Sequence, residues 1–392
     1  MRRVAVIATL AALAALAIAS PAATAATPRV PASFVGTVVD GPVFEQNVDI
    51  QAELDQMVNV GVGSVRVMVG WRAAQPYRKL SDVPPDQMAR FKHTENGVPT
   101  DYSLIDRAVT GAVTRRMTIL PVVMAAPDWA SRHPGNFNSP PKGTTSFANF
   151  SGALARRYGP NGSFWKENPA LAKRPVRHWQ FWNEPSLTDF WSDRPWERDY
   201  VALVRAARAK VRKADSSARI VLAGLPNKSW PELQKIYKLK ARKLFDVVAI
   251  HPFTATVSGV LKILRYNREV MRKYGDRKKP LWVTELSWTS ARDKAAWTYG
   301  NETSEGGQAK KLTAAYKLLA KRRSELKLQR VYWYTWLTLD AHPNYPFDYA
   351  GLSRLETDLS ITRKPAFGAL RSIALGLQRC KTKSGMADRC AS

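Results

Sequence analysis

The chain has 392 residues, enough for one large domain or two ordinary ones and too many for a small disulfide scaffold. Hydrophobic residues make up 45% and charged residues 23%, a globular balance that excludes disorder as the main state. With 60 Lys and Arg against 32 Asp and Glu, the net charge of +28 predicts attraction to polyanions: nucleic acid, acidic polysaccharide, teichoic polymer or anionic lipid.

The first residues narrow that choice. Arg2 and Arg3 make a positive start, Val4 to Ala19 an apolar run, and Ala23-Thr24-Ala25 a small-residue cleavage pattern, so residues 1–25 read as a secretory signal peptide. The run falls short of the roughly 18 to 20 apolar residues of a membrane anchor, and no later segment competes as a transmembrane helix. The expected location is secreted or envelope-associated, which removes nucleic acid as a partner; no zinc-finger or RNP-type pattern argues otherwise.

From Phe34 onward, short β-rich apolar runs alternate with longer stretches of helical period, the signature of βα units and a parallel sheet. The strands are expected at 34–39, 63–69, 118–124, 177–182, 219–223, 246–250, 281–285 and 331–336. Helical stretches fall at 49–60, 102–116, 146–158, 195–214, 230–241, 258–274, 305–323 and 365–377. Ser229, with Pro231 and Glu232 after it, and Asp101, ahead of the Leu104, Ile105, Ala108, Val109 stripe, read as helix starts. Eight strand–helix pairs without a composition break predict an α/β fold, one (β/α)8 TIM barrel spanning 30–378. Inserts at 71–100 and 125–145 follow strands two and three, on the face where such barrels carry substrate loops. A polar tail, 379–392, holds both cysteines, Cys380 and Cys390, whose expected disulfide clasps the C-terminus.

In a barrel the C-terminal strand ends converge on one site, so the titratable residues there matter most. Strand four runs into Trp182-Asn183-Glu184-Pro185 and strand seven into Trp282-Val283-Thr284-Glu285-Leu286-Ser287-Trp288. The two glutamates are 285 − 184 = 101 residues apart, an ordinary length for three βα units. Two carboxylates so placed suit glycosidic bond cleavage, one as general acid and one as nucleophile, if about 5 to 5.5 Å separates them. Their apolar surroundings argue against idle surface carboxylates, because burying an unpaired carboxylate is costly.

The Asn-Glu-Pro tripeptide at strand four and the Trp-Val-Thr-Glu-x-x-Trp run at strand seven resemble clan A glycoside hydrolases, the retaining 4/7 superfamily. Arg66 on strand two, His251 ending strand six and Trp336 ending strand eight extend the resemblance, as do Tyr349-Ala350-Gly351-Leu352 and Lys364-Pro365-Ala366-Phe367 near the end of the barrel. It implies catalytic Glu184 as acid/base and Glu285 as nucleophile, Asn183 on the sugar 2-hydroxyl, and Arg66, His251 and Trp336 lining the substrate site. One departure is Phe253, where many relatives carry Tyr; Tyr334 or Tyr332 is the candidate replacement. Trp129 and Trp288 also fall at strand ends, where an indole face can stack on a sugar. No HExxH, phosphate loop, dinucleotide fingerprint or Cys/His cluster is present, so neither cofactor nor metal is expected.

The leading expectation is therefore a monomeric, secreted retaining glycoside hydrolase acting on a carbohydrate, for which the charge favours an acidic glycan. Two alternatives stand beside it: a transglycosylase remodelling envelope or exopolysaccharide glycan by the same intermediate, and a carbohydrate-binding barrel without catalysis. Loss of one carboxylate would mark the last, and both are present.

Overall fold

A computed structural model describes residues 29–44 and 47–391, so the expected signal peptide lies outside the described residues. The strands, in chain order, are β1 (Val35–Val39), β2 (Ser64–Gly70), β3 (His93–Glu95), β4 (Val98–Thr100), β5 (Thr118–Met124), β6 (His178–Phe181), β7 (Arg219–Val221), β8 (Leu225–Pro226), β9 (Val248–His251), β10 (Leu281–Leu286), β11 (Leu328–Trp333), β12 (Leu337–Thr338), β13 (Ser353–Leu355) and β14 (Ile361–Arg363). Nine of them form a curled parallel sheet in the order β7-β6-β5-β2-β1-β11-β10-β9-β8. Both edges come from one stretch, 219–226, in which the sequence reads a single strand at 219–223. The chain departs from strand geometry at 222–224 because its backbone is drawn into other bonds: Ala223 N–H donates to the Tyr200 hydroxyl and Gly224 C=O accepts from Glu184 N–H. An isolated parallel bridge, Val221 to Val247, and a bond from Leu222 N–H to Val247 C=O lie across that gap.

The helices are α1 (Ile50–Asn59), α2 (Trp71–Ala74), α3 (Ser103–Thr114), α4 (Thr144–Tyr158), α5 (Ser163–Glu167), α6 (Glu197–Ala214), α7 (Ser229–Lys238), α8 (Val257–Lys273), α9 (Glu305–Leu326) and α10 (Pro365–Gln378). All eight expected helices are among them, within a few residues at each end. In α8, Val260, Leu264 and Met271 are buried at helical spacing, and the Thr256 hydroxyl caps its start by accepting from Gly259 N–H. Asp101 similarly accepts from Ser103 N–H ahead of α3, whereas Ser229 is already inside α7 and its side chain caps nothing. The insert after β2 is not wholly irregular, since it contains α2 and the β3–β4 hairpin.

Two apolar layers hold the sheet. Its convex side packs on the helices through one large cluster in which residues such as Val65, Val67, Phe181, Ile250 and Val331 are buried. Removing each such side chain from water contributes about 1.5 to 3 kcal/mol. The concave side is filled by Val38, Leu120, Val221, Val247, Ala249, Trp282 and Tyr332. Gly36 lies so close under the Tyr332 ring that any β-carbon there would overlap it. The alternation along each strand thus decides which side chains face the hollow.

The strand expected at 331–336 is displaced to β11, because Leu328 already pairs with Leu281 and regular pairing ends at Trp333. The chain continues into a small sheet, β12-β13-β14. In the tail, Cys380 and Cys390 are disulfide-bonded with Cα atoms 5.3 Å apart, and Ala387 N–H donates to Arg115 C=O, docking the tail beneath α3. No helix among the described residues is long and apolar enough to cross a membrane.

Candidate active site

Glu184 reaches the open end of the sheet through a sharp turn. Past Phe181 the chain leaves β6, and two non-glycine residues, Trp182 and Glu184, adopt positive φ of 67° and 40°. Such left-handed residues are sparsely populated and persist only where surroundings hold them, a pattern concentrated at functional sites. The holding bonds run from Trp182 N–H to Val123 C=O, from Glu184 N–H to Gly224 C=O, and from Trp182 Nε1 to Phe190 C=O. Glu285 arrives differently. Trp282 and Thr284 face the hollow, so strict alternation would turn Glu285 away, but the register between β10 and β11 shifts between Val283 and Leu286. An irregularity of this kind re-aims a side chain, and it delivers the carboxylate to the same mouth.

Arg66, only 4% exposed, ties the two sides together. Its guanidinium donates to Glu285 Oε1 at 2.6 Å, Asn183 Oδ1 at 2.7 Å and Gln180 Oε1 at 2.9 Å. Gln180 is held in turn by donating to Leu222 C=O. His251 is wholly buried; its Nδ1 is hydrogen-bonded to Glu184 Oε1 at 2.6 Å and its Nε2 to Thr284 Oγ1 at 2.9 Å. One donor atom from each of Glu184, His251 and Glu285 lies within 4.8 Å of the others. As metal ligands the trio is poorly disposed, since Nδ1 and Glu184 are spent on each other and the Arg66 cation already holds Glu285.

Burial dominates the ionisation of all three. It pushes Glu184 up to about 8, with Asp189 adding to the shift and the charge of Arg66 opposing it. Glu285 is also raised by burial, and the charge of Arg66 pulls it back. His251 is driven down to about 3 by burial, so its imidazole is neutral at physiological pH. The two carboxyls thus sit in unequal settings, one without a bonded cation and one with a guanidinium against it, which is how acid and base roles are separated.

Arg66, Asn183, Glu184 and Glu285 line a cavity of about 650 Å³, whereas His251, expected to line it, lies wholly buried behind Glu184. Of the residues singled out in the sequence, the structure brings together Arg66, Asn183, Glu184, His251 and Glu285. Three tryptophans lie elsewhere. Trp336 is fully buried, donates Nε1–H to Glu53 Oε2 at 2.6 Å and packs on Phe367, because regular pairing of β11 ends at Trp333 and the indole points outward. Trp288, also fully buried, donates to Thr254 C=O and packs on Trp333. Trp129 donates to Gln75 C=O and lines a separate surface groove with Arg78 and Lys142.

The aromatic lining of the mouth is instead Phe137, Phe190, Phe253, Tyr299, Tyr334, Tyr345 and Phe347. Tyr334 stands in this wall beside Phe253 and Phe347, and desolvation with the charges of Asp40 and Glu285 holds its phenol well above the ordinary range. Tyr332 lies deeper, bonded to Ser64. Sequence reading missed Gln180 and Asp40. Gln180 had a usable signal, a polar residue on the concave face of a strand; Asp40 follows β1 directly and accepts from Thr335 Oγ1 at 2.9 Å.

The sequence matches no protein-family model, and no match was found among curated proteins. Solved structures do match. A family 39 glycoside hydrolase from the gut symbiont Bacteroides cellulosilyticus has a TM-score of 0.63 at 20% identity, covering 89% of this chain and 64% of that one. A glucosidase from Croceicoccus marinus gives 0.62 at 16% identity over 89% and 68% of the two chains, and a monomeric β-xylosidase from Caulobacter crescentus 0.56 at 18% over 88% and 67%. Enzymes of glycoside hydrolase families 51 and 30 also match. This chain spans about 64% of the length of the Bacteroides enzyme. At these identities the similarity is one of fold, a curled parallel sheet like that in the (β/α)8 catalytic domains of those clan A glycoside hydrolases.

Proposed function

We propose that the protein is a secreted retaining glycoside hydrolase whose sheet closes as a (β/α)8 barrel through the interrupted strand 219–226. The observation that carries this reading is the buried pair Glu184 and Glu285, with carboxylate oxygens within 4.8 Å of each other across an open cavity. That spacing suits direct attack by one carboxylate and leaves little room for an intervening water. Secretion rests on the signal-peptide reading of residues 1–25.

In the first step an oxygen of Glu285 attacks the anomeric carbon and forms a glycosyl ester. The bond to the leaving oxygen breaks, and that oxygen takes the proton of Glu184. Burial keeps this proton in place near neutral pH. An Nδ1–H donated by neutral His251 to Glu184 Oε1 leaves the other carboxyl oxygen to deliver the proton. In the second step Glu184 accepts a proton from water as the water oxygen attacks the anomeric carbon. The ester bond breaks, and Glu285 returns as the carboxylate that Arg66 stabilises. Asn183, held by Arg66, is in position to hydrogen-bond the sugar 2-hydroxyl.

The test is azide rescue on an activated aryl glycoside, after a panel has identified a cleaved sugar. Glu184→Ala should cleave the aryl glycoside and, with azide, yield a glycosyl azide of retained configuration. Glu285→Ala should lose nearly all turnover and yield only the inverted azide. Exchanged behaviour would reverse the roles, and full activity in both variants would refute the site. Product analysis of the wild-type reaction separates water from sugar hydroxyls as acceptor, and hence hydrolysis from transglycosylation.

A further inference from the structure

The charges of this protein are sorted by face. The cavity is lined by four carboxylates, Asp40, Glu184, Asp189 and Glu285, and by one cation, Arg66, which is already bonded to three acceptors. Exposed lysines stand at the other end. Each helix returns the chain from the mouth to the start of the next parallel strand, so helix C-termini lie at the base. Exposed Lys213, Lys238, Lys243, Lys273, Lys278 and Lys327 stand at or just beyond those termini.

Apolar exposure is sorted as well. Of ten large apolar side chains exposed among the described residues, five line this one cavity: Met68, Phe137, Leu187, Tyr299 and Tyr345. Isolated exposed apolar residues need no explanation, but their collection at one mouth marks a binding surface. Leu187 and half-buried Phe190 belong to the loop that carries Glu184, and Leu187 N–H donates to Glu184 C=O. They stand on the side of the group that protonates the leaving oxygen. Met68, Phe137, Leu187 and Phe190 offer no side-chain hydrogen bond to a sugar hydroxyl.

We propose that the cavity selects an uncharged glycoside bearing a bulky apolar group on its leaving-group side, and that the positive charge of the chain takes no part in choosing the substrate. This replaces the acidic glycan expected from composition and rests on the hydrolase reading above. A carboxylate brought into the cavity finds no free cation in its lining, because Arg66 is already bonded to three acceptors, whereas an alkyl or aryl group covers the exposed apolar wall.

Two measurements test it. Calorimetry with octyl and methyl 1-thioglucosides, non-cleavable and kept below micellar concentration, should show the octyl compound binding at least about thirtyfold more tightly. Leu187→Asp should reduce that ratio to about threefold or less. Among 2-naphthyl glycosides of a cleaved sugar, the neutral form should exceed its uronic acid analogue in kcat/KM by at least about a hundredfold. Equal octyl and methyl affinities, or a preferred uronide, would overturn the inference. If octyl binds tightly and no glycoside is hydrolysed, the hydrolase reading fails and the cavity inference stands; hydrolysis without apolar preference gives the converse.

Discussion

Replacing Arg66 with Met removes the cation that faces Glu285 while keeping an apolar stem of similar length. The pair is buried and bonded at 2.6 Å, and the same guanidinium satisfies Asn183 and Gln180. With charge centres about 4 Å apart and an effective dielectric near 20, the lost attraction is about 4 kcal/mol, or about three pKa units on Glu285. The carboxylate is already raised by burial, so the shift adds to that direction and the nucleophile takes up a proton in the working range. The assay is the pH profile of kcat/KM on an aryl glycoside, with circular dichroism to verify folding. The acid limb should climb by two to three units toward the limb set by Glu184, narrowing the bell and lowering activity at pH 6 by about a hundredfold or more. Arg66→Lys should hold the limb near its wild-type place and still lose rate, because one ammonium cannot serve three acceptors. A folded Arg66→Met protein with an unmoved acid limb would refute the electrostatic assignment.

Three further outcomes follow from the same geometry. Glu184 holds its proton more tightly folded than unfolded, so its contribution to stability is full below the ordinary carboxylate range and is lost as pH rises through about 8. Glu184→Gln, which cannot ionise, should therefore match wild type in Tm near pH 4 and exceed it near pH 8.5; the rise from 4.5 to about 8 corresponds to at most about 5 kcal/mol. Gly224→Ala would drive a methyl into the His251 imidazole and should cost about 1 to 3 kcal/mol of stability together with most activity, measured by melting and kcat/KM. Gly143→Ala, with open space around it, should be neutral in both. Trp336→Phe should lower stability by about 1.5 to 3 kcal/mol through the lost bond to Glu53, with KM unchanged; a raised KM would restore it as a sugar platform.

The parts of this protein legible in its sequence are those set by local pattern. Apolar runs of strand length and helical stripes located the elements, and the tripeptide around Glu184 with the run around Glu285 located the two buried carboxyls that meet at the mouth. What the pattern did not carry was direction. Trp336 reads as the end of a strand, but regular pairing of β11 ends at Trp333, and although Tyr334 N–H and Trp336 N–H still donate to Leu286 and Val38 C=O, the indole points outward to Glu53. The division of 219–226 depends on Gly224 and Ala223 finding partners on Glu184 and Tyr200, far away in sequence. The lining by Tyr299, Tyr345 and Phe347 arises from loops far apart in sequence that meet through ring packing at centroid distances of about 5 to 6 Å and bonds such as Trp297 Nε1–H to Asn344 C=O. Net charge is the least directional of these signals, because a sum over the chain says nothing of which face carries it.

The central claim is that Glu184 and Glu285 act together through a glycosyl-enzyme ester. Proton NMR of the first product formed from a cleaved glycoside, recorded before mutarotation, tests it most directly. The account predicts that the anomer released has the configuration of the substrate. Release of the opposite anomer would mean that water, not Glu285, attacks the anomeric carbon, and would contradict it.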